Sequence, residues 1–414
     1  MEAVMPKYKL ALVSPGKEGS VVSGSWKHLV TFYRLTLPLL AAYVDLDKYE
    51  VLIIEESVDR SVPLDGFDLV AMSVMTPYAP RAYELAREFR RHGARVVLGG
   101  IHPTLLPEEA LKHADAIAIG AAEMTWPHIL LDFENGTLKR RYTEKSPTDS
   151  HRILPNRSIL KGKSLMTFGT VETTRGCPKH CAHCAVVATQ GMQGYQQFDI
   201  ESVIRDLASV QGKYVFFVDS NFFGTRKDRE RMLKLLSEMR PLKKQWFCDA
   251  TISLADDPEM LEAAVRAGLG GVYIGLESVI PDSLREVGKG WSRSDSYIER
   301  IKLIRSLGVA VEGGFMFGFD SDTLDVFKRT AEFVYKSGIE SPNAHILTPY
   351  PGTALFERLE HEKRILTFDW SLYDTGHVVF KPINMEPEEL EEGYRQWYRE
   401  VFSPSKTFRR ILQS

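Results

Sequence analysis

Three cysteines stand close together in the stretch TTRGCPKHCAHCAVV, residues 173–187. Cys177, Cys181 and Cys184 follow the spacing C-x3-C-x2-C, and the chain has only one further cysteine, Cys248. Thiolates are soft ligands, so three of them on one short loop suit zinc or an iron-sulfur cluster. With four cysteines in total, a disulfide framework is a poor interpretation. Metal ligation is therefore the leading hypothesis for this loop.

A structural zinc site would need a fourth ligand, for which His180, His183 or Cys248 can be proposed. Such sites usually pair two C-x2-4-C or H-x3-5-H elements, and the sequence contains no second element of this kind. Cys248 stands in WFCDA, inside a predicted strand, and is predicted to be a small buried residue. The spacing therefore favours an iron-sulfur cluster over zinc.

The composition is that of a globular protein with sizeable cores. Of the 414 residues, 44% are hydrophobic and 26% charged. The formal net charge is -3 and the basic residues are scattered, which argues against a nucleic-acid partner. No apolar run approaches the roughly 20 residues that span a bilayer, and the first strand-like segment follows the amino terminus without a signal-peptide pattern. We expect a cytoplasmic protein without a transmembrane segment.

The first third of the chain alternates short apolar runs with amphipathic segments. The predicted strands are KLALV, YEVLIIEE, DLVAMSV, ARVVLGG and ADAIAIG, and a typical predicted helix is RAYELAREFRRHG, with Gly93 as its stop. Buried-type strands alternating with helices predict a doubly wound parallel sheet of the flavodoxin (Rossmann-like) kind, in which ligands bind at the carboxyl ends of the strands. We assign residues 1–135 to this α/β domain.

A polar stretch, residues 136–165, is predicted to be a linker because it shows no sustained period. Residues 166–363 resume the alternation with six strand-like runs: TFGTVETT, YVFFVDS, QWFCDAT, GGVYIGLES, VAVEGGFMFG and NAHILTPY. Six βα units in a row predict a partial parallel (β/α)6 barrel with its chemistry at the carboxyl ends of the strands. Residues 364–414 are predicted to be a short helical extension, with one amphipathic helix in EPEELEEGYRQWYREVF and Pro387 in its first turn.

The C-x3-C-x2-C loop, placed after the first strand of a six-fold βα repeat, resembles that of the radical S-adenosylmethionine (SAM) superfamily. In that superfamily the three thiolates hold a [4Fe-4S] cluster, and the iron without a protein ligand binds the amino and carboxylate groups of SAM. An electron then cleaves SAM to a 5'-deoxyadenosyl radical. The resemblance implies a cluster held by Cys177, Cys181 and Cys184, SAM as cofactor, and an external electron donor of the flavodoxin or ferredoxin type.

Further segments at predicted strand ends carry the same resemblance. VFFVDSNF lies where the superfamily meets the SAM amino group, GLES where a glutamate often contacts SAM, and GGFMFGFDSDT where the adenine is flanked. LTPYPGT resembles the end of the sixth strand. A histidine takes the place of the aromatic residue that commonly precedes the third cysteine. The implied SAM contacts are His183, Asp219, Ser220, Asn221, Glu277 and Met316.

The amino-terminal domain resembles the cobalamin-binding domain that precedes some radical SAM barrels. The resemblance rests on SVMT, GGIHPTLLPEEA and GAAE, each after a predicted strand. The implied cobalamin contacts are Ser73, Thr76, Gly99, Gly100, His102, Pro103, Thr104, Gly120 and Glu123. The D-x-H-x2-G motif that supplies a cobalt-ligating histidine is absent from the sequence, and His102 is expected to be a solvated or helix-capping side chain rather than a cobalt ligand.

The leading functional prediction is a cobalamin-dependent radical SAM enzyme that methylates an unactivated carbon or a phosphinate of a small-molecule or lipid-like substrate. An alternative keeps the radical chemistry without methylation, as in a cyclase or carbon-carbon coupling enzyme, and a remote alternative is a non-enzymatic iron-sulfur or zinc protein. A tRNA methylthiotransferase is disfavoured, because residues 1–176 contain no cysteine for a second cluster and EPEELEE is acidic. The aromatic residues of FDWSLYD and QWYREVF are predicted to pack in the core rather than to line a substrate pocket.

Overall fold

The computed structural model describes residues 8–16, 31–32, 34–59, 61–143, 153–160 and 167–413. The chain divides into two compact units, Met1–Val171 with Thr189–Gly212 and Glu172–Ala188 with Lys213–Ser414. Much of the predicted linker, residues 144–152 and 161–165, lies outside the described residues. The predicted domain boundaries stay predictions.

Strands are numbered in chain order. They are β1 (Tyr8–Ser14), β2 (Thr31–Phe32), β3 (Tyr49–Glu55), β4 (Leu69–Ser73), β5 (Arg95–Gly99), β6 (Ala116–Ile119), β7 (Arg141–Thr143), β8 (Thr167–Val171), β9 (Thr174–Arg175), β10 (Gln196–Gln197), β11 (Tyr214–Phe217), β12 (Gln245–Ala250), β13 (Leu269–Glu277), β14 (Ala310–Phe317) and β15 (Ser341–Ile346).

Helices are numbered in the same way. They are α1 (Thr36–Ala41), α2 (Ala79–Arg91), α3 (Ile101–Leu105), α4 (Pro107–Ala110), α5 (Ala122–Glu134), α6 (Ala185–Gln193), α7 (Ile200–Ser209), α8 (Arg229–Met239), α9 (Pro258–Arg266), α10 (Pro281–Glu286), α11 (Tyr297–Ser306), α12 (Asp325–Ser337), α13 (Ala354–His361), α14 (Pro387–Val401) and α15 (Pro404–Gln413).

The first unit contains a parallel sheet with the strand order β3-β1-β4-β5-β6-β7. From β1 the chain passes to β3 on one side, and β4 lies on the other side. The carboxyl ends of β1 and β4 therefore flank the switch point where doubly wound sheets open a ligand crevice. The predicted flavodoxin-like sheet is confirmed. The edge strand β7 lies in the stretch predicted as linker, because three residues with one buried side chain, Tyr142, are too few to show a strand period.

Local signals read from the sequence place several helix ends correctly. Gly93 follows α2 with φ +93°, a left-handed conformation that glycine adopts at low cost. Asp199 is the N-cap of α7, and its side chain accepts a hydrogen bond from the Ser202 amide at 2.7 Å. These two predictions are confirmed.

The second unit contains β11 to β15 as consecutive parallel neighbours, which together with β8 are the six predicted strands. Along β12, Trp246 and Cys248 are fully buried, whereas the alternating Asp249 is only partly buried. The same alternation runs through β13 to β15. We call the partly buried side of these strands the inner face. It carries Phe247, Asp249, Tyr273, Gly275, Glu312, Gly314, Met316, Asn343 and His345.

The carboxyl-terminal segment closes the open edge of this sheet. Its α14 begins at Pro387, as predicted, and buries Trp397 against Phe315 and Phe317 with ring centroids 6.3 and 5.7 Å apart. The Tyr398 hydroxyl accepts a hydrogen bond from the Ala344 amide on the edge strand β15 at 3.0 Å. The prediction that the aromatic residues of the tail pack in the core is confirmed for Trp370, Tyr373 and Trp397, which are buried, and is wrong for Phe368 and Phe402, which are 57% and 44% exposed.

No helix within the described ranges is both long enough and apolar enough to cross a bilayer.

Candidate functional site

The cysteine loop connects β9 to α6 and carries the three predicted ligands. None of the three cysteines is in a disulfide bond, and all three are partly buried. Two backbone hydrogen bonds hold the loop: the Ala182 amide donates to the Val287 carbonyl at 3.1 Å, and the Leu355 amide donates to the Ala182 carbonyl at 3.0 Å. The loop is thereby tied to α10, which follows β13, and to α13, which follows β15.

Two of the three thiols, those of Cys177 and Cys181, resist ionisation because they are largely buried. Burial raises the pKa of Cys177 and raises the pKa of Cys181 to about 11. A Cys184 thiolate would add to both increases, whereas the Lys289 ammonium opposes them. Such thiols become thiolate ligands when a metal supplies the positive charge.

Three sulfur donors on one loop match the chemistry of an iron-sulfur cluster with one open iron. In the part of the chain that the structure describes, no three His, Cys, Asp or Glu side chains already surround a single point as metal ligands would. The fit therefore rests on the donor types and on their shared, anchored loop. Among the proposed fourth ligands for zinc, His180 is exposed and Cys248 is fully buried in β12, as predicted.

Asp219, two residues beyond β11, holds the start of the cysteine loop. Its buried carboxylate accepts hydrogen bonds from the Thr173 amide (3.0 and 3.2 Å), the Thr173 hydroxyl (2.7 Å) and the Thr174 hydroxyl (2.7 Å). Burial raises the pKa of Asp219 to about 6 even though these bonds act in the opposite direction. Its contact with SAM stays a prediction, because the carboxylate is engaged by the loop in this structure.

The two residues after Asp219 differ in their surroundings. Ser220 is exposed, whereas Asn221 is buried and donates from Nδ2 to the Gly224 carbonyl at 2.8 Å. The Asn221 Oδ1 atom is buried without a hydrogen-bond partner. A buried acceptor left open in this way is available to a ligand donor, such as an ammonium or an amide.

Glu277 ends β13 in an unusual backbone conformation. Its φ is +61°, and the pairing of β13 with β14 is irregular between Gly275 and Glu277. For a residue other than glycine this conformation is strained, and bulges of this kind re-aim a side chain. The strain supports a functional role at the predicted position.

Lys289 is the partner of Glu277, and the sequence reasoning did not identify it. Its Nζ atom donates to Glu277 Oε1 at 2.7 Å and to the Gly275 carbonyl at 2.6 Å, with both side chains about nine-tenths buried. The pair lowers the pKa of Glu277 and raises the pKa of Lys289 despite the opposing effect of burial. A Cβ at Gly275 would lie 2.7 Å from Glu277 Oε1 and 3.3 Å from Lys289 Nζ, so the close approach requires glycine.

The other two predicted SAM residues are His183, in the cysteine loop, and Met316, near the end of β14. The Nδ1 atom of His183 is buried without a partner, and burial lowers the pKa of the ring while Glu277 opposes that shift. Met316 is partly buried against an apolar cluster that includes Val287 and Leu355, which flank the cysteine loop. Their contacts with SAM stay predictions.

The inner face also holds a row of polar side chains that the sequence reasoning missed. Asp249, Tyr273 and Glu312 are in register on three neighbouring strands. Burial raises the pKa of Asp249 to about 7, with the Glu312 charge adding to the increase, and burial also raises the pKa of Glu312. Alternate residues of a strand face opposite sides of the sheet, so the alternation in WFCDAT and VYIG could have placed Asp249 and Tyr273 on the face away from the buried residues.

In the first unit, glycines let the chain turn tightly at the ends of β4 and β5. Gly100 has φ +102°, and a Cβ there would lie 2.8 Å from both the amide nitrogen and the carbonyl oxygen of Val74. At Gly99, by contrast, an added Cβ would meet no close atom: the nearest, Ala118 Cβ, would lie 3.5 Å away, an ordinary contact distance. Ser73, half-buried, ends β4 beside this turn. Gly120 follows β6 with φ +85°.

Several predicted cobalamin contacts are engaged inside the domain. The buried Thr104 hydroxyl accepts a hydrogen bond from the Gly120 amide at 3.1 Å. Thr76 and Pro103 are also buried, and Glu123 lies in the first turn of α5. These contacts with cobalamin stay predictions.

The expectation that His102 is a solvated or capping side chain is wrong. The ring is fully buried, with Nε2 3.0 Å from the Tyr83 hydroxyl and 3.3 Å from Glu109 Oε1, and with Nδ1 3.4 Å from Thr76 Oγ1. His102 lies in α3, and its partners Tyr83 and Glu109 come from α2 and α4, whereas Thr76 comes from the turn before α2. Both ring nitrogens face protein groups.

Comparison with known proteins agrees with this geometry. The model of the radical SAM superfamily matches residues 171–334, the B12 binding domain matches residues 32–130, and a domain of unknown function (DUF4070) matches residues 353–414.

Named relatives span most of the chain. The bacteriochlorophyllide d C-12(1)-methyltransferase of Chlorobaculum tepidum is 29% identical over 97% of this chain and 89% of its own length. The C-8(2)-methyltransferase of the same organism is 31% identical over 88% of this chain and 84% of its own length. The anaerobic magnesium-protoporphyrin IX monomethyl ester cyclase of Cereibacter sphaeroides is 24% identical over 94% of this chain and 69% of its own length.

Among solved structures, the radical SAM methyltransferase TsrM from Kitasatospora setae, with cobalamin and a [4Fe-4S] cluster bound, superimposes with a TM-score of 0.69. The match covers 97% of this chain and 90% of that chain at 15% identity. At this identity the likeness establishes a common fold.

We predict that Gly100→Ala lowers the free energy of unfolding by about 2 kcal/mol or more, because a side chain there adopts a left-handed backbone conformation and meets the Val74 backbone. Gly99→Ala is the matched control and is expected to cost less than about 1 kcal/mol. Urea unfolding of the two variants measures the difference. Equal costs would show that the turn relaxes freely around Gly100.

We predict that Lys289→Met destabilises the protein by about 3–5 kcal/mol, because it leaves the buried Glu277 carboxylate unpaired. The double variant Lys289→Met/Glu277→Gln removes both charges and is expected to recover much of that loss. Urea unfolding of wild type, Lys289→Met, Glu277→Gln and the double variant gives the free energies of unfolding for a double-mutant cycle. Additive effects of the two substitutions would contradict the pairing.

We predict that Asp219 makes stability depend on pH between about 4 and 6. The pKa of Asp219 is about 6 in the folded protein, against about 3.9 for an unperturbed aspartate. Between these values the folded state keeps a proton that the unfolded state has released, so the contribution of Asp219 to stability falls as the pH rises.

The test compares the free energy of unfolding of wild type and Asp219→Asn across this range. The difference between them is expected to change by about 2–3 kcal/mol, with wild type losing stability relative to the variant as the pH rises. Asp325→Asn, on the exposed side of α12, is the matched control. A pH-independent difference for Asp219→Asn would exclude a raised pKa at this position.

Proposed function

Because the chain belongs to the radical SAM superfamily and carries a B12 binding domain ahead of its radical SAM domain, we propose that it is a cobalamin-dependent methyltransferase acting on an unactivated carbon. The observation that carries the proposal is the anchored three-cysteine loop, which lies at the strand ends where the strained Glu277 meets Lys289. The two bacteriochlorophyllide methyltransferases, which match this chain along most of their length, support methylation as the outcome.

Cys177, Cys181 and Cys184 would hold the cluster, and the open strand ends of the first unit would take cobalamin. Bound together, these groups supply an electron for cleaving the sulfonium of SAM and a carrier for the methyl group. Around them, Lys289 places a buried positive charge beside the thiols, and Asp219 fixes the first residues of the loop. Asp219 acts in this proposal as a positioning residue.

Asn221 and Glu277 would meet SAM through complementary chemistry. The Asn221 Oδ1 atom is an open acceptor for the SAM ammonium, and the Glu277 carboxylate accepts hydrogen bonds from hydroxyl groups. Lys289 holds the Glu277 carboxylate in one orientation, so that it is pre-organised for a ligand.

We propose a bulky, largely apolar ring system as the substrate, with a tetrapyrrole as the first compound to test. The names of three relatives mention a tetrapyrrole substrate, and each of these relatives matches 88% or more of this chain. The inner face suits such a substrate, because it carries the aromatic side chains of Phe247 and Tyr273, which pack against Gly271 and Gly314 of the neighbouring strands.

A cyclase is the second candidate, and the similarity to the anaerobic magnesium-protoporphyrin ester cyclase favours it. The two functions differ in what is added to the substrate. Methylation adds one carbon taken from SAM, whereas ring closure adds none. Methylation would need bound cobalamin as a methyl carrier, whereas ring closure would need no methyl carrier.

The test starts from protein purified without oxygen and reconstituted with iron, sulfide and hydroxocobalamin. Bacteriochlorophyllide d is incubated with this protein, dithionite and SAM that carries a deuterated methyl group. Product that gains one deuterated methyl group, together with 5'-deoxyadenosine, supports the proposal. Full cluster iron and 5'-deoxyadenosine without bound cobalt would support the cyclase instead.

We predict that Cys181→Ala loses most cluster iron and reduces 5'-deoxyadenosine formation to the background rate, because the remaining two thiols cannot replace the third ligand. Cys248→Ala is the matched control: it is buried in β12 and is expected to keep full iron and activity. Iron content after gel filtration and chromatographic detection of 5'-deoxyadenosine measure both properties. Full iron in Cys181→Ala would contradict the cluster assignment.

A further inference from the structure

An exposed tryptophan lies directly beside the cysteine loop. Trp291 keeps 40% of its surface exposed, although large aromatic residues usually bury most of theirs. The Lys179 ammonium, from the stretch between Cys177 and Cys181, lies 4.1 Å from the centroid of the indole ring. Lys289 Nζ lies 5.9 Å from the same centroid. The ring therefore lies within reach of two cations, of which Lys289 is buried.

Backbone contacts hold the two loops together as one surface. The Ala182 amide donates to the Val287 carbonyl at 3.1 Å. Gly288 packs so closely that an added Cβ would lie 3.3 Å from the His180 carbonyl oxygen. The segment from Val287 to Trp291 thus covers the outer side of the cysteine loop. We call Lys179, the exposed His180 and Trp291 the Trp291 patch.

The patch carries a positive charge that its neighbours do not cancel. Among the carboxylates close to the patch in sequence, Asp282 pairs with Arg285 and Asp295 pairs with Arg293 at 3.1 Å, while Glu286 accepts hydrogen bonds from the Asp320 and Ser321 amides. Glu277 is buried with Lys289. Within the described chain, Lys179 is in no ion pair with a carboxylate.

The proposed chemistry needs an electron that the side chains of this protein cannot supply. Reductive cleavage of one SAM consumes one electron: the donor is oxidised by one electron, the carbon-sulfur bond of the sulfonium breaks, and methionine and a 5'-deoxyadenosyl radical are released. A protein that delivers this electron must approach the cysteine loop closely, since electron transfer slows steeply with distance.

We propose that the Trp291 patch is the docking surface for an acidic, low-potential one-electron carrier protein, an inference that rests on the proposed radical SAM function. An exposed aromatic residue is a typical anchor of a protein interface, and Lys179 steers a partner that carries carboxylates around its redox group. The patch lies on the loop that carries the cluster ligands. A partner that docks there would therefore lie beside that loop.

The experiment compares two electron donors on the reconstituted holoenzyme. Reduced flavodoxin is the protein donor, and dithionite is a small donor that needs no docking surface. The variants are Lys179→Glu and Trp291→Ala, and Lys302→Glu, an exposed lysine on α11, is the matched control for charge reversal. Stopped-flow bleaching of the cluster absorbance gives the reduction rate without SAM or substrate, and 5'-deoxyadenosine formation gives the turnover.

With flavodoxin, reduction of the Lys179→Glu and Trp291→Ala proteins is expected to slow about tenfold or more, and the dependence of the rate on salt is expected to weaken for Lys179→Glu. With dithionite, both variants are expected to stay within about twofold of wild type, as Lys302→Glu does with either donor.

Two results would overturn the docking surface: flavodoxin rates equal to wild type in both variants, or losses of the same size with both donors. The proposed function fails in a different way, through a wild-type cluster that either donor reduces but that never cleaves SAM. Since the bleaching rates do not depend on SAM cleavage, the two failures are distinguishable.

Discussion

A buried lysine organises the candidate site at the end of β13. The Lys289 ammonium bonds to Glu277 and to the Gly275 carbonyl, and its charge opposes the rise in the pKa of Cys181. Removing a lysine from water costs several kcal/mol, and this cost is offset only when the partners are close and well oriented. Gly275 and the strained backbone at Glu277 both allow the Glu277 carboxylate and the Lys289 ammonium to come close together. One ion pair thus links the strand end, the thiols and the exposed Trp291.

A second constraint concerns the cysteine loop. Three thiols can act together as metal ligands only if the loop that carries them is held in place. The chain fixes its start through the Asp219 carboxylate and its middle through backbone hydrogen bonds of Ala182. A carboxylate that accepts hydrogen bonds from an amide and two hydroxyls restrains both loop position and side-chain rotamers. The buried position of Asp219 costs free energy, which is visible as its raised pKa. Such a cost is consistent with selection for geometry at this point.

Sequence patterns predicted the elements well and their partners poorly. Alternating apolar runs were sufficient for β1, β3 to β6 and the six strands of the second half, because each contains several residues of one period. The cysteine spacing and the glutamate of GLES located the site. Lys289 could not be found in this way, since nothing in VGKGW indicates a carboxylate twelve residues earlier in the chain. His102 was misjudged for the same reason: its partners Tyr83 and Glu109 come from two other helices.

Burial makes two carboxyl groups of the inner face, those of Asp249 and Glu312, harder to ionise, which suits a large apolar substrate. Asp249 and Glu312 have no cation paired with them among the described residues, and burial raises the pKa of both carboxyl groups, that of Asp249 to about 7. At neutral pH a good part of the Asp249 population is therefore protonated, and a protonated carboxyl group costs far less to cover than a carboxylate. Phe247 and Tyr273 add aromatic rings to this face, each packed against a glycine of the neighbouring strand. A face that carries aromatic side chains and carboxyl groups that are hard to ionise can bind a conjugated ring through apolar contact area. The polar groups of Glu277 and Lys289 would then remain available to the cofactor.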